Sequence, residues 1–317
     1  MKKFAFVFPG QGSQSIGMLD AYGDLPAVRS VVEEASDTLK QDIAKLVREG
    51  PAPDLNSTVN TQPVMVTVGV AVFRAWIESG GGEPSIAAGH SLGEYSALVA
   101  SGALKLRECL PLVRLRAQAM QAAVPIGEGA MAALLGLEDE AVRAACLEAG
   151  QGEVVEAVNF NSQGQVVIAG HATAVERAIA LAKSRGAKRA VLLPVSVPSH
   201  SSLMRGAAEQ LRECLEGVAM RAPQLRYLSA VDAQMHSDVA DIRATLVRQL
   251  ASPVRWTQTV LALTAAGATT LVECGPGKVL TGLNRRIEKR AEITCLAVED
   301  AASLATAINH CQGASHV

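Results

Sequence analysis

Phe4-Ala5-Phe6-Val7-Phe8 is apolar without a break and stops at Pro9-Gly10. A short apolar run bounded by turn formers is the pattern of a strand buried on both faces. Apolar residues then recur every three to four positions over 27–40 and 43–48, which predicts two helices. Thr61-Gln62-Pro63 opens a long apolar helix over 64–78, with the proline placed at its start. Gly80-Gly81-Gly82 breaks the chain before a short strand at 85–88. A helix over 94–100 stopped by Gly102 and another over 107–123 closed by Val124-Pro125 follow.

The pattern then changes. A strand at 130–137 and a helix at 138–149 lead to strands at 154–159 and 165–169, joined by a turn at Asn161-Ser162-Gln163-Gly164. A helix at 172–185 and a strand at 190–195 close the segment. That order, β-α-β-β-α-β, is the ferredoxin-like pattern. It predicts an inserted subdomain over 127–196 and an α/β body made of 1–126 and 197–317. In the second part of the body, a helix at 202–215 precedes a strand at 227–230. Helices at 241–250 and 253–266 and a strand at 269–274 complete the reading. Residues 313–317 read as a frayed tail.

Composition narrows the function classes. The 317 residues are 49% hydrophobic, enough for a large core, and the formal net charge of -2 lacks the basic excess of a nucleic-acid binder. Aromatics make up only 3%, which leaves no base-stacking surface. Six cysteines without a C-x-x-C pair read as small buried hydrophobes in a reducing compartment. The apolar start ends too early for a signal peptide, and no apolar run reaches the ~18 residues of a membrane span. The expected location is the cytoplasm, with no membrane and no nucleic-acid partner.

The candidate chemistry begins at Gly89-His90-Ser91-Leu92-Gly93, a G-x-S-x-G placed between a predicted strand and a predicted helix. In a nucleophile elbow the flanking glycines avoid collision with neighbouring strands, and the serine is held out at a helix N-terminus. The same motif also fits a plain turn whose serine caps the helix. A serine nucleophile needs a base. Of six histidines, His310 and His316 lie near the end, and His236 lies in a polar stretch. His171 starts a helix, and His90 should point away from its neighbour Ser91. His200, in Pro198-Ser199-His200, remains. No acidic residue between 91 and 200 stands out as its orienter, so a neutral acceptor is expected, with Gln249 a candidate through its carbonyl.

Gly10-Gln11-Gly12-Ser13-Gln14 lacks both phosphate-loop spacings. It reads either as a simple turn or as an oxyanion loop in which the Gln11 N–H joins that of Leu92. Arg116 lies on an otherwise apolar helix face beside Leu112, Val113 and Met120. Such an arginine is paired, snorkels to the surface, or awaits an anion such as a carboxylate. Lys188, Arg189, Arg285, Arg286, Lys289 and Arg290 form the candidate basic patch, the last four sharing one face at helical spacing.

Taken together, these motifs resemble the malonyl-CoA:acyl carrier protein transacylases of type II fatty acid synthesis. The matching pieces are Phe8-Pro9-Gly10-Gln11-Gly12-Ser13-Gln14, Gln62-Pro63, Gly89 through Tyr95, Arg116, Asn159-Phe160-Asn161-Ser162, Pro198-Ser199-His200, Gln249 and Gly275 through Leu280. They run in the family's order over nearly the whole chain. The resemblance implies an α/β-hydrolase-like parallel-sheet body with the ferredoxin-like insert. It implies Ser91 as nucleophile, His200 as base, Gln249 as orienter, and Gln11 and Leu92 as oxyanion donors. Arg116 would hold the malonyl carboxylate, and Asn161 would contact substrate. Ser199 before the histidine is neutral between malonyl and methylmalonyl. The implied reaction is ping-pong transfer from malonyl-CoA to the phosphopantetheine thiol of an acyl carrier protein. It needs no metal and no redox cofactor, and a monomer is expected. A malonyl transferase serving malonate decarboxylase or a polyketide pathway, a serine esterase, and a non-catalytic binding protein are the alternatives.

Overall fold

The computed structural model describes residues 3–195 and 197–313. Residue 196, at the expected end of the insert, and residues 314–317 of the expected tail lie outside the described residues. The chain is α/β, with two sheets and helices packed on both. The larger sheet contains β1 (Phe4–Phe8), β2 (Ile86–Gly89), β7 (Arg226–Leu228), β8 (Met235–His236), β9 (Thr270–Cys274) and β10 (Thr294–Val298). Its order is β10-β9-β1-β2-β7-β8, parallel throughout except for β8. The smaller sheet contains β3 (Gly129–Leu135), β4 (Val155–Ser162), β5 (Gln165–His171) and β6 (Arg189–Leu192). It is antiparallel in the order β4-β5-β3-β6.

Strand β1 is central because both of its faces are apolar. Phe4, Phe6 and Phe8 pack on one side with Trp76, while Ala5 and Val7 pack on the other with Ile86, Trp256 and Leu271. This two-residue alternation sends successive side chains into separate cores, each roofed by helices. On the smaller sheet, Ala132, Leu134 and Ile168 pack against the helices Asp139–Gly150 and Ala172–Ser184. Met131, Val158 and Val167 occupy the opposite face. Backbone bonds join the two sheets' territories: Phe160 N–H donates to Val254 O at 2.9 Å, and Val254 N–H donates to Val158 O at 2.8 Å.

Several expectations are corrected. The long helix begins at Thr58, not 64, so Pro63 lies inside it. A proline in the second turn forfeits one backbone bond. The first turn is meanwhile anchored by Thr61, whose N–H donates to Ser57 O at 2.7 Å and whose hydroxyl donates to Leu55 O at 2.6 Å. Asn161 and Ser162 belong to β4 and not to a turn, since Ser162 pairs with Gln165 and only two residues connect the strands. Strand β10 and the helix Ala301–Gln312 follow where no element was expected, so His310 sits within a helix. The helix Val279–Ile287 ends before Lys289 and Arg290, so the four basic residues do not share a helical face. Three of them are also engaged separately. Arg285 donates to Cys295 O, Arg286 donates to Gln165 Oε1, and Arg290 pairs with Glu288 at 2.6 Å.

Candidate active site

Strand β2 ends at Gly89 and the helix Gly93–Ala100 begins four residues later. Between them Ser91 adopts φ = 52°, a left-handed conformation that costs a non-glycine residue free energy and persists only where its surroundings impose it. The flanking glycines are sterically required. A Cβ on Gly89 would sit 1.9 Å from the Gly93 carbonyl carbon, and one on Gly93 would sit 2.0 Å from Phe8 O. Below the elbow, the buried Glu94 accepts from Tyr227 Oη, from Ser229 Oγ at 3.0 Å and from Ala230 N–H at 3.1 Å. These bonds fasten the helix start to the end of β7. Burial pushes the Glu94 carboxyl above its ordinary range.

His200 enters from the loop that returns from the smaller sheet. It is buried and also has a left-handed backbone, φ = 66°. Its Nε2 is 2.7 Å from Ser91 Oγ, and its Nδ1 is 2.8 Å from Gln249 O. A carbonyl only accepts, so Nδ1 carries the proton and Nε2 presents its lone pair to the serine hydroxyl. Gln249 is the last residue of the helix Val239–Gln249, where backbone carbonyls lack intrahelical partners. Burial first, and then the neighbouring Arg116 charge, lower the His200 pKa to about 3. The imidazole is therefore neutral near pH 7, as a proton acceptor must be.

Arg116 projects from the helix Leu106–Ala122 and is only 1% exposed. Its Nη1 donates to Gln62 Oε1 at 2.7 Å, and its Nη2 donates to Gln249 Oε1 at 3.0 Å. Nη2 also lies 3.5 Å from Ser91 Oγ, and the guanidinium carbon is 5.6 Å from the Tyr95 ring centroid. Both short bonds go to neutral amide oxygens, and Nε is buried without a partner. Burial lowers the Arg116 pKa. The guanidinium thus keeps its positive charge in a dry setting whose close acceptors carry no net charge, the condition under which an incoming carboxylate is held strongly.

These groups line one cavity of about 480 Å³. Gln11, His90 and Leu92 share its wall with Ser91, Arg116 and His200, while the smaller sheet contributes Met131 and Asn159. Leu92 immediately precedes the helix Gly93–Ala100, where the first N–H groups have no intrahelical acceptor. The Gln11 side chain is held along the wall, its Nε2 donating at 3.1 Å to Oγ1 of Thr58, which lines the same cavity.

Two placements were not legible beforehand. His90, expected to face away, lines the cavity, with its ring centroid 5.4 Å from that of Trp256. Its Nε2 is 2.8 Å from Asn161 Oδ1. Asn161 therefore backs His90, whereas the nearby cavity wall is formed by Asn159. Gln62, a motif residue without an assigned role, grips Arg116. The signal that could have found it is an amide on an otherwise apolar buried helix, where a polar group needs a partner.

The family model for the acyl transferase domain matches residues 5–309. The malonyl CoA-acyl carrier protein transacylase of Haemophilus influenzae is 52% identical over 305 residues, covering 96% of this chain and 97% of that protein. The solved structure of an acyl-carrier-protein S-malonyltransferase from Burkholderia pseudomallei is 56% identical with a TM-score of 0.95, covering 98% of this chain and 100% of that one. A malonyl-transacylase solved in complex with its type II PKS acyl-carrier protein gives 49% identity and a TM-score of 0.95, at 98% and 100% coverage.

Proposed function

The chain belongs to the acyl transferase domain family, and from that membership we propose that it transfers malonyl from malonyl-CoA to the phosphopantetheine thiol of an acyl carrier protein, supplying fatty acid biosynthesis. The route is ping-pong through a malonyl ester on Ser91. The Ser91 oxygen attacks the thioester carbonyl while His200 Nε2 takes the hydroxyl proton. The C–S bond breaks, and CoA leaves with that proton. The carrier thiol then attacks the ester, gives its proton to His200, and the serine oxygen departs with it. Backbone N–H groups of Gln11 and Leu92 stabilise the oxyanion in both steps. Arg116 receives the malonyl carboxylate, while Gln249 orients both His200 and Arg116. For Asn161, expected to contact substrate, the bond to His90 supports an indirect role, through the ring that lines the cavity.

The observation that carries this reading is Arg116, buried, bonded to neutral oxygens and 3.5 Å from the Ser91 hydroxyl. A site that attacks an acyl group and holds a cation beside it fits an acyl group with a free carboxylate. The serine and histidine need neither a metal nor a redox cofactor for this exchange. We assign a monomer, since Ser91, His200, Gln249 and Arg116 meet within one chain and the site needs no residue from a second copy. We place the chain in the cytoplasm, where buried thiols such as Cys109, Cys146, Cys274 and Cys295 stay reduced; among the described residues no helix is long and apolar enough to cross a membrane.

We read residues 127–196 as a ferredoxin-like insert and 1–126 with 197–317 as an α/β-hydrolase-like body. The βαββαβ order with strands arranged β4-β5-β3-β6 supports the first, and the elbow at the end of a parallel strand supports the second. A type II polyketide carrier is the second reading for the partner, favoured by the similar malonyl-transacylase solved with such a carrier.

Intact-mass measurement after brief incubation with malonyl-CoA tests the reading. One malonyl adduct is expected, absent in Ser91→Ala and discharged by a holo carrier protein. An undiminished adduct in Ser91→Ala would place the nucleophile elsewhere. Rapid release of free malonate without a carrier would indicate an esterase.

A further inference from the structure

We propose that Glu156, on the smaller sheet, is a positioning residue for the catalytic base: its carboxylate holds the loop that presents His200. This rests on the assignment of His200 as the base. His200 lies in an irregular stretch and has a left-handed backbone, so its conformation must be imposed from outside. On its C-terminal side the stretch is gripped at Ser202, two residues on. Ser202 N–H donates to Glu156 Oε2 at 2.7 Å, and the Ser202 hydroxyl donates to Oε1 at 2.9 Å. Ser202 opens the short 3₁₀ turn Ser202–Met204, which runs into the helix Arg205–Glu216. A carboxylate accepting the first N–H of such a segment fixes where it starts. On the N-terminal side the loop holds itself, through Ser199 N–H to Val197 O at 2.8 Å and Ser201 Oγ to Pro198 O at 2.7 Å.

Glu156 also connects this loop to the rest of the site. It lies on β4, which places Asn159 in the cavity wall and Asn161 on His90. The same strand is bonded to the body at Val254. The base loop is therefore tied to a strand whose register is already set by the sheet and by the body. Through the Ser91–His200 distance of 2.7 Å, the position of this strut is passed to the nucleophile.

A positioning role predicts a particular kinetic pattern. Misplacing a base by a fraction of an ångström slows proton transfer without altering how the malonyl carboxylate meets Arg116. Glu156→Ala should lower kcat about 10- to 100-fold for malonyl-CoA and for acetyl-CoA alike, with KM for malonyl-CoA unchanged within about twofold. Glu156→Gln keeps an amide oxygen for the Ser202 N–H and should recover most of the loss. Arg286→Ala breaks a different side-chain contact, from the helix Val279–Ile287 to Gln165 of the smaller sheet, and should leave kcat at the wild-type value. Melting temperatures of all three separate unfolding from misplacement.

Wild-type kcat in a folded Glu156→Ala protein would overturn the inference, as would a rise in KM at constant kcat. An equal loss in Arg286→Ala would overturn it too, by showing that any loosening of the smaller sheet suffices. These outcomes are distinct from failure of the functional reading, in which wild-type Ser91 would take up no malonyl group at all.

Discussion

Gln249 Oε1 lies 3.0 Å from Arg116 Nη2, while the backbone carbonyl of the same glutamine is 2.8 Å from His200 Nδ1. Its Nε2 donates to Ser91 O at 3.1 Å as well. One residue thus fixes His200, Arg116 and the Ser91 backbone relative to each other. Using a backbone carbonyl in place of a triad carboxylate leaves the Gln249 side chain available for Arg116.

Gln249→Ala should therefore separate the two roles. The backbone carbonyl stays, so His200 keeps its tautomer, while Arg116 loses one of its two short anchors. Malonyl transfer should fall roughly tenfold, and acetyl transfer much less, given about 1–1.5 kcal/mol for such a hydrogen bond. Steady-state rates with both acyl-CoAs check this. An equal, large loss for both would mean that the side chain supports the base as well.

Arg116→Ala should strand the malonyl carboxylate in a partly dry cavity, a loss of about 2–5 kcal/mol. Malonyl transfer should drop a hundredfold or more, while acetyl transfer holds or rises. Ser91 labelling with each acyl-CoA is the measurement, and a loss shared by both acyl groups would make the arginine purely structural.

Gln62→Glu tests the charge balance directly. The substitution is nearly isosteric and gives Arg116 an internal carboxylate in place of a neutral oxygen 2.7 Å away. The substrate then competes with a permanent partner. Malonyl transfer should fall about 10- to 100-fold, using roughly 1.5–3 kcal/mol for a charge-assisted bond. The malonyl-to-acetyl rate ratio is the quantity to follow. An unchanged ratio would show that the neutrality of residue 62 is irrelevant.

The pH dependence follows from His200. Its folded pKa is lowered to about 3, against about 6.5 for an unperturbed histidine. Between these values the unfolded chain binds the extra proton and the folded one does not. Stability from this group is therefore complete above pH ~6.5 and declines as pH falls toward ~3. For activity, the acid limb of kcat/KM should lie below pH 6.5. The Arg116 charge contributes to the lowering, so Arg116→Ala should move that limb upward when followed with acetyl-CoA. The groups facing His200 that enter this balance are Arg116 and His90, and burial keeps His90 below its ordinary pKa as well. A limb at or above pH 6.5 in the wild type would contradict the assignment.

Much of the fold was legible because its signals are local. The unbroken Phe4–Phe8 run announced a strand buried on both faces, and the elbow glycines announced a close approach, so tight that an added Cβ would meet backbone atoms at 1.9 and 2.0 Å. Two of the differences show where local rules stop. The start of the Thr58–Glu78 helix was misjudged because proline is a weaker barrier in the second turn than a local rule assumes. The basic face was misjudged because helical spacing was extended past Ile287, where the helix ends.

By itself, the sequence determined most of the elements, the α/β class, the β-α-β-β-α-β succession along the chain after residue 126 and the residue types able to carry acyl transfer. Each of these depends on neighbours in the chain, through hydrophobic period, turn chemistry and steric fit. Only the tertiary structure decided which of these residues meet. Ser91 and His200 are 109 residues apart, Arg116 and Gln62 are 54 apart, and Arg116 and Gln249 are 133 apart. Their contacts depend on which strands adjoin and where each helix ends. The neutrality of the oxygens around Arg116, the turning of His90 into the cavity and the grip of Glu156 on the base loop are properties of that packing. No period or spacing encodes them, because the partners converge only when both sheets have closed around the site.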